Sequence, residues 1–283
     1  MSTHEFRQVD VFGTDPYTGN PVAVVLDAEG LSSEQMARIS AWTNLSECTF
    51  VLPPTTRDAD YRVRIFSLTN ELPFAGHPTL GTARAWLDAG GVPRDEGVVI
   101  QECGAGLVPV RVDGDQLAFA APSRIRSGAV SPDDLDAACR VLRITPAEVL
   151  DAAWADNGPG WIALLLKDVD AVMAVEPDGA HQPGLCMVGI AAIDEGDGPD
   201  GSAVEVRTFF NDTDGPLRED PITGSFNASL AQWLTESGRI AAPYVARQGT
   251  MLDRAGRVSV DEAGGDLWIG GRTHVAITGT IDA

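Results

Sequence analysis

The feature that most constrains the fold of this chain is a near-repeat within its own sequence. Residues 63–87 and 206–230 are related by a shift of 206 − 63 = 143 and share eight identities over 25 positions without a gap. Ordinary residue frequencies give about two identities over such a length. Each copy reads as an alternating strand, a loop, and a helix opened by Pro-x-x-Gly and then Thr or Ser. We therefore expect two similar halves with the same succession of elements.

The helices of the two copies are predicted at residues 78–89 and 221–237. Both are apolar nearly all round, which is typical of a buried helix, and both have Pro near the start and Gly after the end. Strand patterns surround each of them, so the sequence predicts an α+β fold in two halves. We place these at 1–122 and 123–283, and leave open a return of the last strand to the first half.

Two local elements are also predicted. Residues 31–42 have the periodicity of an amphipathic helix, with Ser32 or Ser33 as the N-cap. Residues 194–201 are rich in Asp and Gly, and we expect them to form an exposed hairpin loop.

The net charge and the composition argue against several kinds of partner and of structural site. Twenty Lys and Arg against 41 Asp and Glu give 20 − 41 = −21, which argues against nucleic acid or an anionic membrane as a partner. The longest apolar run, residues 161–166, is too short to cross a bilayer, and the N-terminus does not resemble a signal peptide. The four cysteines are scattered, without the spacing of a zinc site or a disulfide framework. We expect a cytoplasmic protein.

The repeat also indicates two candidate functional residues. His77 and Asp220 fall on the same position of the two copies, each directly before a Pro. If the halves pack face to face, the two side chains would meet across a cleft together with two helix N-termini. Such termini favour a bound carboxylate. Taken singly, His77 reads as a structural histidine and Asp220 as a helix N-cap; the repeat favours the functional interpretation.

Glu47 is the third candidate, and it directly precedes an apolar, strand-like run. A partly desolvated carboxyl at the mouth of a strand has a raised pKa and can move protons. On the local pattern alone, however, Glu47 is more simply interpreted as an exposed loop glutamate.

Three stretches carry a resemblance to a known family: Asn-Leu-Ser-Glu at 44–47 with the strand after it, residues 64–83 with Phe-Ala-Gly-His-Pro, and Glu-Asp-Pro-Ile-Thr-Gly-Ser at 219–225. They are similar to the signatures of the PhzF-like family, named for the phenazine-pathway isomerase. Phe12, residues 19–24 and the late Gln248-Gly249 fit the same pattern. The resemblance runs from about Phe6 to the C-terminus.

The resemblance implies a fold like that of diaminopimelate epimerase, with two barrel-like sheets, each around a central helix, and a homodimeric assembly. It also implies an isomerase that moves a proton within a small unsaturated (amino) acid, with Glu47 as general acid/base and His77 and Asp220 in contact with the substrate. The remaining substrate-binding positions implied are Ser46, Gly76, Gly224 and Ser225. The expected partner is a small carboxylic acid. Neither a metal nor a cofactor is predicted, because nucleotide loops and His pairs at i, i+4 are missing from the sequence.

The chain departs from the family pattern near the expected pocket. Gly-Ser is followed by Phe226 and Asn227 where the family often has Ala, and residues 157–161 and 251–257 also differ. We therefore expect altered pocket walls around a retained catalytic set, with Phe226 among them.

Two other functions stay open from the sequence. A racemase or epimerase usually needs two bases, and the expected helix starts hold His77-Pro78 and Asp220-Pro221 in place of cysteines, which leaves a carboxylate-based version. The second alternative is a non-catalytic protein that binds small molecules on the same scaffold.

Overall fold

The computed structural model describes residues 2–178, 186–194, 198, 200–211 and 215–283. The chain divides into two compact units. The N-terminal unit comprises Met1–Ala120 and Gly270–Ala283, and the C-terminal unit comprises Ala121–Ile269. The predicted hairpin loop at 194–201 lies partly outside the described residues. Within the described part of the chain, every helix is too short or too polar to span a bilayer.

From residue 2 onward, where the structure describes it, the N-terminal unit contains two helices and eight strands of its own. They are β1 (Thr3–Val11), β2 (Asn20–Val25), α1 (Ser33–Thr43), β3 (Cys48–Leu52), β4 (Tyr61–Ser67), β5 (Asn70–Leu72), α2 (Gly76–Asp88), β6 (Val98–Cys103), β7 (Gly106–Asp113) and β8 (Gln116–Ala120).

The C-terminal unit begins after β8, and its last strand runs on into the N-terminal unit. Its elements are β9 (Arg126–Ala129), α3 (Pro132–Leu142), β10 (Val149–Asp156), β11 (Ile162–Leu166), α4 (Val169–Met173), β12 (Met187–Ile193), β13 (Val204–Phe210), β14 (Arg218–Asp220), α5 (Gly224–Glu236), β15 (Tyr244–Gln248), β16 (Gly256–Ala263) and β17 (Asp266–Asp282).

The two units share one order of strand pairing. In the N-terminal unit β1–β2 is antiparallel, β2–β3 parallel, β3–β4 and β4–β5 antiparallel, β4–β6 parallel and β6–β7 antiparallel. The pairs β10–β11, β11–β12, β12–β13, β13–β14, β13–β15 and β15–β16 repeat this order in the C-terminal unit. β17 pairs with both β1 and β8 and so closes the N-terminal sheet. The predicted α+β fold with two pseudo-symmetric halves is confirmed.

Each sheet wraps a buried helix, as the apolar character of the two segments predicts. In the N-terminal unit α2 contacts β1, β2, β3, β6, β7 and β8, and its residues from Gly76 to Ala83 are buried. A Cβ atom on Gly81 would stand 2.2 Å from Val22 Cγ1, so a glycine is required where α2 meets β2. In the C-terminal unit α5 packs on β10 and β16.

The ungapped repeat describes the first strand of each copy correctly and the elements after it incorrectly. β4 and β13 are related by 204 − 61 = 143, whereas α2 and α5 are related by 224 − 76 = 148. The connection between the preceding strands has two residues in the first copy, 68–69, and seven in the second, 211–217. Those five additional residues change the register of everything that follows.

The register change corrects two predictions. Asp220 is not the counterpart of His77: it ends β14 and corresponds to Leu72, while His77 corresponds to Ser225 at the start of the other helix. The helix predicted from residue 221 begins at Gly224, because Thr223 is extended and its N–H is bonded to the Gln248 side chain.

A matched ion pair supports the corrected register. Arg64 Nε donates to Glu71 at 2.7 Å, and Arg207 Nε donates to Glu219 at 2.9 Å. The arginines differ by 207 − 64 = 143 and the glutamates by 219 − 71 = 148. The two guanidinium groups lie 5.2 and 5.1 Å from the centres of the Phe66 and Phe209 rings.

Candidate functional site

Glu47 is held at the entrance of β3 by the way the preceding helix ends. α1 begins after Ser32, which forms a capping box with Gln35, and ends at Asn44 in the left-handed conformation with φ 55°. Three residues later the carbonyl of Glu47 accepts a bond of 3.4 Å from the Ala23 N–H. This tie to β2 fixes the Glu47 backbone at the mouth of the strand, where its side chain is 16% exposed.

His77 lies beside Glu47 in the N-terminal unit. Its Nε2 atom is 3.3 Å from Glu47 Oε2, and its Nδ1 atom is 3.5 Å from the amide nitrogen of Asn20. An amide nitrogen only donates, so this contact favours Nδ1 as the acceptor and the ring proton on Nε2. Burial lowers the pKa of His77 to about 3, so the ring is neutral. Its Nε2 atom lies close to the Glu47 carboxylate without the geometry of a hydrogen bond.

The start of α2 adds backbone donors next to His77. The hydrogen-bond ladder of the helix begins with the Thr79 N–H bonded to the Ala75 carbonyl at 3.2 Å, so the amides of Gly76 and His77 precede it. Ala75 occupies the N-cap position and has no polar side chain with which to cap them. Gly76 is buried, and Ser46, next to Glu47, is half-buried.

Cys48 follows Glu47 directly but cannot serve as a second base. Its side chain is wholly buried, and this burial raises the pKa of the thiol far above its ordinary value. A thiol that stays protonated is a poor base.

Asp220 belongs to a buried polar network at the start of α5. Its carboxylate accepts a bond from the Thr223 hydroxyl, which also lies 2.6 Å from that of Thr208. Gln248 ties this group together: its amide donates to the Asp220 carbonyl at 3.2 Å and accepts from the N–H of Thr223 and from Asn227. The network fixes the Asp220 carboxylate four residues before Gly224, where α5 begins.

Ser225 is bound on two sides by the loop after β10. The Asn157 side-chain amide donates to the Ser225 carbonyl at 2.9 Å, and the Trp161 indole N–H donates to Ser225 Oγ at 3.1 Å. Gly224 is buried and Ser225 is half-buried. Both precede the first bond of the α5 ladder, which joins the Asn227 N–H to the Thr223 carbonyl at 3.0 Å.

Phe226 is not a wall of an open pocket, contrary to the sequence-based expectation. It is fully buried, and its ring packs edge-on against Trp161 with centroids 5.5 Å apart. A Cβ atom on Gly189 of β12 would come within 2.1 Å of that ring. Asn227 is 1% exposed and faces Thr223 and Gln248. Both side chains are thus buried in the first turn of α5.

The structure thus brings Glu47 and His77 together in the N-terminal unit, and it groups Asp220 with Gly224 and Ser225 in the C-terminal unit. Sequence reasoning missed three supporting residues: Asn20, Trp161 and Gln248. Asn20 and Gln248 stand inside stretches that carry the family resemblance, which was the available signal. Trp161 stands in a stretch that departs from the family pattern.

Comparisons with known proteins match nearly the whole chain to one family. A model of the family described as phenazine biosynthesis-like protein matches residues 9–280. The Schizosaccharomyces pombe protein named antisense-enhancing sequence 1 is 33% identical over 300 residues, covering 99% of both chains. The trans-2,3-dihydro-3-hydroxyanthranilate isomerase of Pseudomonas fluorescens is 36% identical over 261 residues, covering 89% of this chain and 87% of that enzyme.

A solved structure shows the same fold. The structure of a predicted epimerase from Pseudomonas aeruginosa matches with a TM-score of 0.78 and 26% identity, and the match covers 98% of this chain and 99% of that protein.

Proposed function

We propose that this chain, which belongs to the phenazine biosynthesis-like protein family and is an isomerase, moves a proton within a small unsaturated acid. The proposed reaction uses Glu47 as the general acid/base and needs no cofactor. The observation that carries the proposal is the contact between Glu47 Oε2 and His77 Nε2 at 3.3 Å. A buried neutral ring beside the carboxylate adds no positive charge that would oppose its protonation, so Glu47 remains available to take a proton.

In the proposed reaction, the Glu47 carboxylate removes a proton from a carbon next to a conjugated double bond. The electron pair of the broken C–H bond shifts the double bond along the chain of carbons. Protonated Glu47 then delivers the proton to a carbon further along the same face, so atoms and electrons balance and the carboxylate is regenerated. One positioned acid/base supplies about 10²–10⁴-fold in rate.

We propose that Gly224 and Ser225 bind the carboxylate of the same substrate. The support is the set of backbone amides that precede the α5 ladder together with the Ser225 hydroxyl, since a helix start favours an anion. Ser46 and Gly76 would contact the substrate beside Glu47. Asp220 and His77 would hold an amino or hydroxyl substituent.

The substrate class follows from these groups. The P. fluorescens relative is named for trans-2,3-dihydro-3-hydroxyanthranilate, which carries a carboxylate, an amino group and a hydroxyl group on an unsaturated ring. We propose an acid of this kind or an open-chain unsaturated amino acid. A homodimer, as the family resemblance implies, completes the proposal, in the cytoplasm, as the scattered cysteines indicate. Light scattering of the purified protein tests the assembly.

An epimerase is the second candidate function, and the likeness to a predicted epimerase at 26% identity favours it. Against it stand the protonated Cys48 and the hydroxyl of Ser225. That hydroxyl occupies the position equivalent to His77 and receives an N–H from Trp161, which makes it a poorer base.

Replacement of Glu47 by Gln tests the proposal. We expect kcat on trans-2,3-dihydro-3-hydroxyanthranilate to fall by about 10²–10⁴-fold, with KM changed little, because the amide keeps the shape and loses the proton acceptor. Glu29→Gln is the matched control, since Glu29 is an exposed carboxyl of the same unit. Full activity of Glu47→Gln would refute the assignment.

A further inference from the structure

The loop at residues 157–161 holds Ser225 in place through two hydrogen bonds, and Ser225 itself is only half-buried. Asn157 binds the Ser225 main-chain carbonyl, and the Trp161 indole binds its hydroxyl oxygen, at 2.9 and 3.1 Å. One loop therefore sets both the backbone and the side chain of the residue that we propose to bind the substrate carboxylate.

The loop is itself shaped by a single carboxylate. Asp156 Oδ1 accepts the N–H groups of both Gly158 and Gly160 at 2.7 Å. These glycines have φ values of 142° and 95°, a region that L side chains rarely adopt. Asp156 is 8% exposed and Trp161 3% exposed, so the loop is anchored at both ends by buried side chains.

The direction of the Trp161–Ser225 bond determines what the hydroxyl can offer. An indole N–H only donates, whereas a serine hydroxyl has one proton and two lone pairs. The indole occupies one lone pair of Ser225 Oγ and excludes the hydroxyl proton from that direction. The proton is thereby directed toward an acceptor on another side of the oxygen.

We infer that Trp161 is a positioning residue for the proposed reaction: it orients the Ser225 hydroxyl as a donor, so that the site prefers a carboxylate to an uncharged group. This inference rests on the proposed function, in which Ser225 holds the substrate carboxylate. A hydrogen bond to a charged acceptor is roughly twice as strong as one between neutral groups, and a fixed hydroxyl loses less freedom when it forms that bond.

The Trp161→Phe substitution separates the hydrogen bond to Ser225 from the packing of the ring against Phe226. The phenyl ring still lies against Phe226, whose centroid is 5.5 Å from that of the Trp161 ring, while the N–H donor is lost. We expect KM to rise about 10-fold, with kcat within about 2-fold. In calorimetric titrations we expect the aromatic acid 3-hydroxyanthranilate to bind about 10-fold more weakly, and its carboxamide to be affected about 2-fold or less.

Two further variants separate a positioning role from a general structural one. Trp268→Phe is the matched control, because it also removes a buried indole N–H, bonded at 3.3 Å to the Ala263 carbonyl, and it should leave KM unchanged. Ser225→Ala should raise KM about 10-fold or more, and adding Trp161→Phe to it should produce no further change. An additive double variant, or equal losses for acid and carboxamide, would overturn the inference.

The binding measurements keep this inference distinct from the proton transfer. Repeated in the Glu47→Gln background, the Trp161→Phe effect on 3-hydroxyanthranilate should be the same. If Glu47→Gln is fully active while this effect persists, the acid/base assignment fails and the inference stands. Unchanged binding in Trp161→Phe refutes the inference alone, and an unmodified chain that neither binds nor converts the acid refutes both.

Discussion

The imidazole of His77 meets the carboxylate of Glu47 with 3.3 Å between Nε2 and Oε2, although the ring is held neutral by burial. The contact is thus not an ion pair, and its geometry is not that of a hydrogen bond between these two atoms. A charged imidazolium would hold the carboxylate as an anion and oppose its protonation. A neutral ring beside Glu47 leaves the carboxylate able to accept and return a proton.

The neutral state of His77 predicts a specific dependence of stability on pH. Its pKa in the folded protein, about 3, lies below the ordinary 6.5, so the unfolded chain binds the proton first as the pH falls. The stabilisation is complete above pH 6.5 and is lost progressively toward pH 3. Between pH 8 and pH 5 we expect wild type to lose about 2 kcal/mol more of its unfolding free energy than His77→Gln.

Urea unfolding of both proteins at the two pH values measures this difference. Parallel losses in wild type and His77→Gln would contradict it, and so would an NMR titration of the His77 ring with a midpoint near 6.5.

Solvent deuterium distinguishes an isomerase from an epimerase. With one shuttling carboxyl, turnover in D₂O should place deuterium on one face of the carbon that receives the proton, and part of the original hydrogen should be retained because Glu47 carries it. NMR of the product measures which face carries deuterium and how much of the original hydrogen is retained. Deuterium at the original carbon in both configurations would instead favour the two-base reaction.

The Gln248 network should contribute strongly to stability. Gln248→Leu keeps the volume but removes the partner of the Thr223 N–H and of the Asn227 amide, both buried. Each unsatisfied buried group costs about 1–3 kcal/mol, so we expect a loss of about 2–4 kcal/mol in urea unfolding. The exposed Gln116 provides the control, and a loss of equal size in Gln116→Leu would show that the network has no special role.

The close approach of β12 to Phe226 should make Gly189 intolerant of a methyl group. In Gly189→Ala the new Cβ would lie 2.1 Å from the ring, and overpacking of this kind costs about 1–3 kcal/mol. Gly279→Ala is the control, since its Cβ would have open space. Phe226→Leu introduced with Gly189→Ala should recover part of the stability; an unaltered thermal midpoint in Gly189→Ala alone would show that the ring lies elsewhere.

Much of the fold could be predicted because its signals are local. The all-round apolar character of the two helical segments predicted their burial, and alternation predicted the strands around them. The capping pattern at Ser32 placed the start of α1 within one residue. The equivalence of His77 and Asp220 failed because an ungapped comparison cannot show five additional residues in a connection, even when several chance identities follow it.

The sequence by itself determined the two buried helices, the excess of acidic charge, and the motifs that contain Glu47, His77 and Asp220. Only the tertiary structure decided that His77 corresponds to Ser225, that Asn20 contacts the His77 ring, and that Trp161 binds Ser225 across 225 − 161 = 64 residues. The physical reason is that periodicity and capping depend on neighbouring residues. A hydrogen bond between distant residues depends on where the sheet places the ends of its strands.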